Sequence, residues 1–188
     1  MIEHFRHQAY CNLWSNHRLL TACAGLSQEA LYAERSSFFP SIHATLNHIL
    51  IVDAYYIDAL EGGTLGLGAF DDELPHATIA TLQPAQEALD RRLIALCEGA
   101  TPAWLAQETV LVRRTHRQHE PIHRVLAHLF VHQTHHRGQV HAMLSATDIA
   151  PPQLDEFFMR EEAPLRQAEF RTLGIDETQV WRSSDSAH

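Results

Sequence analysis

The stretch from Ile42 to Leu60 most constrains what this chain can fold into. Its apolar residues recur at helical spacing, and they are Ile42, Leu46, Ile49, Leu50, Val52, Tyr56, Ile57 and Leu60. Such a wide stripe is typical of a helix covered on most of its surface by other elements. Ser41 precedes it and supplies an N-cap oxygen, and Gly62-Gly63 ends it. The stretch therefore predicts a long core helix that needs other helices packed around it.

Three further segments carry the same periodicity and predict long helices over residues 2–25, about 84–97 and about 121–145. Residues 62–83 are rich in Gly and are long enough for a crossover between the second and third helices. Residues 103–120 lose the helical period and predict a short extended or hairpin excursion. Pro151-Pro152 breaks the pattern, and residues 153–172 predict one or two short helices ending near Gly174. We expect an all-α four-helix bundle over residues 1–174, followed by a polar tail over 175–188.

Composition narrows the classes of partner. The chain has 188 residues and a net charge of −9, and Arg supplies all of its basic charge because Lys is absent. A basic stripe for phosphate contacts is therefore not expected, which argues against nucleic-acid binding, and the acidity disfavours an anionic membrane surface. The N-terminus lacks the pattern of a signal peptide, which predicts a cytoplasmic location. With nucleic acid and membrane disfavoured, we expect a small-molecule substrate. We also expect a homodimer, because bundles often pair through two-fold symmetry.

Histidine is the compositional outlier, with 15 in the chain. His132 and His136 lie four residues apart on the fourth predicted helix, so both imidazoles can reach one cation. His48 lies in the middle of the apolar second helix, where a neutral imidazole needs a partner. A hydrogen bond is the ordinary partner, and a metal is the other. Together the three histidines favour a divalent metal site, with His128 held in reserve as a fourth ligand or an outer contact.

Two familiar metal patterns are excluded. A zinc protease of the HExxH type needs a Glu as general base, and Gln133 occupies that position here. A di-iron site in a bundle needs two Glu-x-x-His motifs, and the sequence has one match, Glu120 to His123, at a helix start. An all-nitrogen triad with open positions remains. Its donor set suits Zn²⁺, Ni²⁺ or Fe²⁺ and does not select among them. Of the three ions, we expect Zn²⁺ or Ni²⁺. We also expect Arg137 to form a structural or interface salt bridge and Gly138 to permit close packing of a neighbouring helix.

At this point the sequence resembles the DinB/YfiT-like family. The resemblance is carried by FRHQAYCNLWSNHRLL, by FFPSIHATLNHILIVDAYYIDAL and by LAHLFVHQTHHRGQVHAML, and it spans most of residues 1–160. It implies a four-helix bundle of up-down-down-up order and a metal held by three histidines, which at the matching positions are His48, His132 and His136. Relatives in this superfamily include thiol-dependent S-transferases and a mycothiol-dependent isomerase, which favours a transferase by analogy of fold.

The resemblance leaves two main hypotheses. In the first, the protein is a metal-dependent enzyme on small molecules: an open metal position lowers the pKa of a low-molecular-weight thiol for S-transfer, or that of a water for hydrolysis. In the second, it is a non-catalytic stress-response protein whose metal only stabilises the bundle. An open coordination position beside a pocket favours the first, and a closed fourth ligand such as His128 favours the second.

Overall fold

The computed structural model describes residues 1–182 and is mostly helical, as predicted. None of the helices in this part of the chain is long and apolar enough to cross a membrane. In chain order the elements are α1 (Ile2–Cys23), α2 (Gln28–Tyr32), α3 (Ile42–Leu60), α4 (Ile79–Glu98), α5 (Pro102–Ala106), β1 (Glu108–Val112), β2 (Arg117–Pro121), α6 (Ile122–Leu144), α7 (Ala163–Leu173) and α8 (Glu177–Trp181).

Side-chain caps fix where two of the long helices begin. The hydroxyl of Ser41 accepts a hydrogen bond from the backbone N–H of Ala44 and starts α3, as the sequence predicted. α4 begins at Ile79 because Thr78 caps it, so the prediction of a start at Pro84 was wrong. Pro84 lies in the second turn, where it removes only one hydrogen bond, the one to the carbonyl four residues earlier.

The core consists of two large apolar clusters at opposite ends of the long helices. α1 packs against α4 and α6, and α3 packs against the same two helices. One cluster joins the end of α1 and the end of α6 to the beginnings of α3 and α4, through Leu19, Leu20, Ile42, Leu46, Ile79, Leu82, Val140 and Met143. The other joins the beginnings of α1 and α6 to the ends of α3 and α4, through Phe5, Ala9, Ile57, Leu60, Leu93, Cys97, Val125 and Leu126. These side chains determine which end of each helix meets which.

The predicted excursion is a hairpin between α5 and α6. β1 and β2 pair antiparallel, with Val110 opposite His119. The hairpin is attached to the end of α3, because the Tyr55 hydroxyl donates to the Val112 carbonyl at 2.8 Å and Thr109 donates to the Ala59 carbonyl at 2.6 Å. The two-stranded element is thereby held beside the groove between α3 and α6.

The C-terminal segment is more ordered than the sequence suggested. Residues 175–182, which we placed in a polar tail, include the helix α8, and Val180 is completely buried. Val180 belongs to a third apolar cluster with Tyr10, Trp14, Phe157 and Phe170. Three apolar residues in a polar stretch, Ile175, Val180 and Trp181, anchor it by packing against this aromatic cluster. The remainder of the predicted tail, 183–188, lies outside the described residues.

Candidate metal centre

Three histidines meet between α3 and α6. His48 comes from the middle of α3, and His132 and His136 come from successive turns of α6. One nitrogen from each ring lies within 4.8 Å of the other two, and the Nε2 atoms of His48 and His132 are 3.1 Å apart. The structure thus brings together the histidines that the sequence singled out, and we call them the histidine triad.

The separation of His48 and His132 fits two ligands of one small divalent cation. Two nitrogens bound to one zinc ion at about 2.0–2.1 Å lie roughly 2.9 Å apart at a right angle and roughly 3.4 Å apart at a tetrahedral angle. The separation of 3.1 Å between His48 and His132 falls inside this range. A direct hydrogen bond between these two rings has a similar length, but it does not account for the third imidazole. The donor set is all nitrogen, which suits Zn²⁺, Ni²⁺ or Fe²⁺.

The protonation state of the triad also suits a cation. Burial, together with the neighbouring His136, lowers the pKa of His48 to about 4. Burial and the adjacent histidines lower the pKa of His132 to about 3, and burial also lowers the pKa of His136. All three rings are therefore neutral at pH 7 and offer lone pairs. Each neutral ring keeps one nitrogen lone pair that can bind a shared metal ion. Adding a further proton to every ring would instead place three positive charges close together.

Hydrogen bonding on the outer side of the triad decides which ring nitrogen of His136 and His132 faces the centre. The Oε1 atom of Gln139 lies 2.7 Å from Nδ1 of His136 and accepts a hydrogen bond from the N–H group there, which leaves the lone pair of Nε2 free for a cation. The Nδ1 atom of His132 is buried and has no hydrogen-bond partner among the described residues. The Nε2 atom of that ring is consequently the one that can interact with the other two histidines.

An aromatic side chain covers one side of the triad. The ring centroid of Phe39, in the segment before α3, lies 4.1 Å from that of His48 and 5.6 Å from that of His136. Its neighbour Phe38 is 82% exposed. Phe39 therefore shields the triad from water on this side, while His48 and His132 remain partly exposed on another. Nothing in its residue type marked Phe39 as part of the site; only its position shortly before the His48 helix could have suggested it.

The other histidines considered from the sequence do not join the triad. His128 is exposed, and its ring centroid lies 6.3 Å from that of His132 and 5.2 Å from that of Tyr56. His135 is exposed and contacts Gln139, and His141 hydrogen-bonds to the carbonyl of Pro152. The donor atoms that come together are therefore those of three rings, without His128.

A second face of α6, about 100° around the helix from the triad, carries a buried polar cluster. Gln133 follows His132 directly, but its side chain points into the core and donates to Asp53. The cluster joins four helices and consists of Asn12, Asn16, Asp53, Gln86, Asp90, Gln133 and Arg137. Arg137 was expected to form a salt bridge; instead its guanidinium donates to the amide oxygens of Asn12, Asn16 and Gln133. One helix thus presents metal-ligand candidates on one face and a hydrogen-bonded core on the other.

The two carboxyl groups of the buried polar cluster differ in their hydrogen bonds. Asp90 accepts N–H bonds from Asn12, Asn16 and Gln86 on its two oxygens. Asp53 accepts from Gln86 and Gln133 on Oδ2 alone, and its Oδ1 atom has no partner within residues 1–182. Burial, followed by repulsion from Asp90, raises the pKa of Asp53 to about 8, while burial raises that of Asp90 to about 6. With a single positive charge on Arg137, the cluster is balanced when Asp53 carries a proton.

Comparison with known proteins places this architecture in a family. The sequence model of the DinB family matches residues 1–170. The chain is also similar to Protein DinB of Bacillus subtilis (strain 168), with 28% identity over 152 residues, which cover 77% of this chain and 86% of that relative. Because this family model covers most of the sequence, the chain belongs to the DinB family.

Proposed function

We propose that the protein is a divalent-metal enzyme that acts on small molecules and uses a low-molecular-weight thiol for S-transfer. The observation that carries this proposal is the histidine triad, in which one nitrogen from each of three neutral imidazoles lies within 4.8 Å of the others and His48 and His132 are partly exposed. Three protein ligands leave positions for an exogenous group, which is the arrangement of catalytic rather than structural zinc sites. The distance of His128 from the triad supports the same choice.

The proposed fold gives the site its rigidity. We propose an up-down-down-up four-helix bundle with its long crossover at residues 61–78, between α3 and α4. The end-to-end pairing of the two apolar clusters supports this order, because it makes α3 and α4 parallel to each other and antiparallel to α1 and α6. Ligands on the middle of two core helices hold their geometry better than ligands on loops. The homodimer and the cytoplasmic location stay predictions.

The roles of individual residues follow from their contacts. His48, His132 and His136 would hold the ion, and Gln139 would keep the proton of His136 on Nδ1. Phe39 would exclude water from one side. A divalent ion bound here supplies Lewis acidity, which lowers the pKa of a thiol at neutral pH. Arg137 and Gln133 take no part in substrate binding, since both are turned into the core.

Metal binding is tested first, by elemental analysis of purified protein. Wild type is expected to carry about one equivalent of metal, and His48→Ala and His132→Ala are each expected to lower affinity by more than the roughly 10- to 100-fold typical of outer contacts. His141→Ala is the matched control, because His141 also lies on α6 but is not part of the triad and hydrogen-bonds to the carbonyl of Pro152. Equally little metal in wild type and the triad variants would show that the histidines only hydrogen-bond to one another.

Transferase activity is tested next, with chlorodinitrobenzene and a panel of low-molecular-weight thiols. We expect the metal-loaded protein to accelerate conjugation with at least one thiol, and chelator treatment or His132→Ala to abolish the acceleration. If the metal binds and raises the unfolding temperature but no thiol reacts faster, the metal is structural and the alternative function, a non-catalytic metal-binding protein, is correct.

A further inference from the structure

A cavity with several charged side chains lies beside the groove between α3 and α6. It has a volume of about 310 Å³ and is formed by α3, the hairpin and the first half of α6. Its polar lining includes Tyr56, Arg113, Arg124 and His128. None of these residues has a role in the histidine triad. Two guanidinium groups around one cavity are notable in a chain whose net charge is −9.

Arg113 is held in place before any ligand binds. Its Nε atom donates to Gln118 at 2.8 Å, and its guanidinium carbon lies 5.7 Å and 5.9 Å from the ring centroids of Tyr55 and Tyr56. Its Nη2 atom donates to the Tyr56 hydroxyl at 3.5 Å. None of the ion pairs found within residues 1–182 involves Arg113. Its charge is thus oriented but not neutralised by a carboxylate in contact.

The charge of the cavity indicates a monoanion. Glu120 also lines it, but this carboxylate already accepts a hydrogen bond from Gln118 and lies 4.0 Å from Arg124. Two guanidinium groups and one carboxylate leave one net positive charge. That balance fits a carboxylate better than a phosphate dianion, and guanidinium matches the planar shape of a carboxylate.

The cavity lies next to the triad, with His128 between them. His128 lines the cavity, and its ring centroid is 6.3 Å from that of His132. Arg124 and His132 are eight positions apart on α6, which separates their Cα atoms by about 12 Å along the helix axis. A small molecule of this length can therefore reach both places.

We infer that this cavity binds the carboxylate of the small molecule, thiol or acceptor, whose other end meets the histidine triad. Binding of the carboxylate in the cavity is independent of the proposed function. Only the contact of the other end of the molecule with the triad rests on it. Arg113 and Arg124 are the binding residues, Tyr56 contributes its hydroxyl, and His128 lies between the carboxylate and the triad. A substrate of the protein is accordingly a carboxylic acid with its reacting atom about 12 Å from the carboxylate.

The test uses Co²⁺-loaded protein, because thiol binding changes the absorption spectrum of the ion. The probes are 8-mercaptooctanoate, which has the required length, and its methyl ester. The acid is expected to bind about tenfold more tightly than the ester, as a charge-assisted hydrogen bond of about 1.4 kcal/mol or more predicts. Arg113→Gln and Arg124→Gln should bring the ratio close to one without weakening the ester. Arg114→Gln is the control, because this exposed neighbour does not line the cavity.

A second titration separates this inference from the proposed function. Octanoate, which lacks the thiol, is titrated into the purified protein by calorimetry. Binding that Arg113→Gln or Arg124→Gln weakens and Arg114→Gln does not supports the carboxylate site, even if no thiol perturbs the Co²⁺ spectrum and the proposed function fails. Equal binding of octanoate to wild type and both cavity variants, or none to any of them, overturns the inference. Arg124 is exposed on α6, so its variant remains informative if Arg113→Gln does not fold.

Discussion

Replacing Asp53 by Asn should make the protein more stable at neutral pH, although Asp53 is completely buried. Its pKa is raised from 3.8 to about 8, so the folded protein holds a proton there that the unfolded chain has lost at pH 7. Each tenfold change in proton affinity corresponds to about 1.4 kcal/mol, so keeping this proton at pH 7 costs about 4 kcal/mol of folding free energy. The side-chain amide of the Asp53→Asn variant needs no added proton and avoids this cost.

The sign of the pH dependence follows directly. Below pH 3.8 Asp53 is protonated in both states and adds no penalty. As the pH rises from there the penalty grows, and it levels off above about 8, where the folded protein also loses the proton. The stability of Asp53→Asn relative to wild type should therefore increase by roughly 3 to 4 kcal/mol between pH 5 and pH 8.

The assay is urea unfolding followed by circular dichroism at several pH values, with a chelator present throughout. The quantity of interest is how the difference in unfolding free energy between Asp53→Asn and wild type changes with pH. This change reports the proton of Asp53, because a packing effect of the amide is the same at every pH. Asp90→Asn is the comparison variant: the pKa of Asp90 is raised only to about 6, so the proton penalty that it relieves should change by only about 1–2 kcal/mol between pH 5 and pH 8. Its amide N–H groups would also face the donors of Asn12, Asn16 and Gln86, which should cost about 1–3 kcal/mol at every pH. A pH-independent difference between wild type and Asp53→Asn would refute the reasoning and place an ionised Asp53 in the core.

Substitutions at four other positions have definite expected outcomes. Gly138→Ala should stabilise the protein by about 1 kcal/mol, because an added methyl group meets no neighbour, whereas Gly174→Ala should destabilise it because φ there is +64°; thermal unfolding that ranks them the other way contradicts this. Ser41→Ala should cost about 1 kcal/mol through loss of the α3 cap, and Ser41→Asp should restore it. Gln139→Ala should weaken metal binding about 10- to 100-fold without loss of helicity, through the proton of His136; unchanged affinity in a chelator competition would remove Gln139 from the site.

The grouping of the histidines could be predicted because helical geometry determines it. A spacing of four residues places His132 and His136 on one face, and a polar residue inside the apolar stripe marks His48 as a residue that needs a partner. The hairpin was also predictable, since residues 103–120 lose the helical period. These inferences depend on local spacing alone.

The buried polar cluster could not be predicted in the same way. A periodicity argument assigns polar residues to the solvent face and gives no reason to place Asn12, Asn16, Gln86 and Asp90 in the core. Each pair is spaced four residues apart, but only the packing of four helices shows that the two pairs face each other. Gly138 was misinterpreted for a related reason: we expected a close helix contact there, and its Cβ position is open. Long-range packing decides these positions, and one sequence does not contain it.

The two faces of α6 have a consequence for how the protein tolerates change. Gln133 and Arg137 form hydrogen bonds that admit a single rotation of this helix about its axis, and each directly follows a histidine of the triad. Apolar replacements for the cluster would often be as stable or more so, yet they would let the helix turn. The buried polar cluster therefore fixes the direction in which His132 and His136 point, at a cost in stability. A variant selected only for a higher melting temperature would lose this orientation of the triad first.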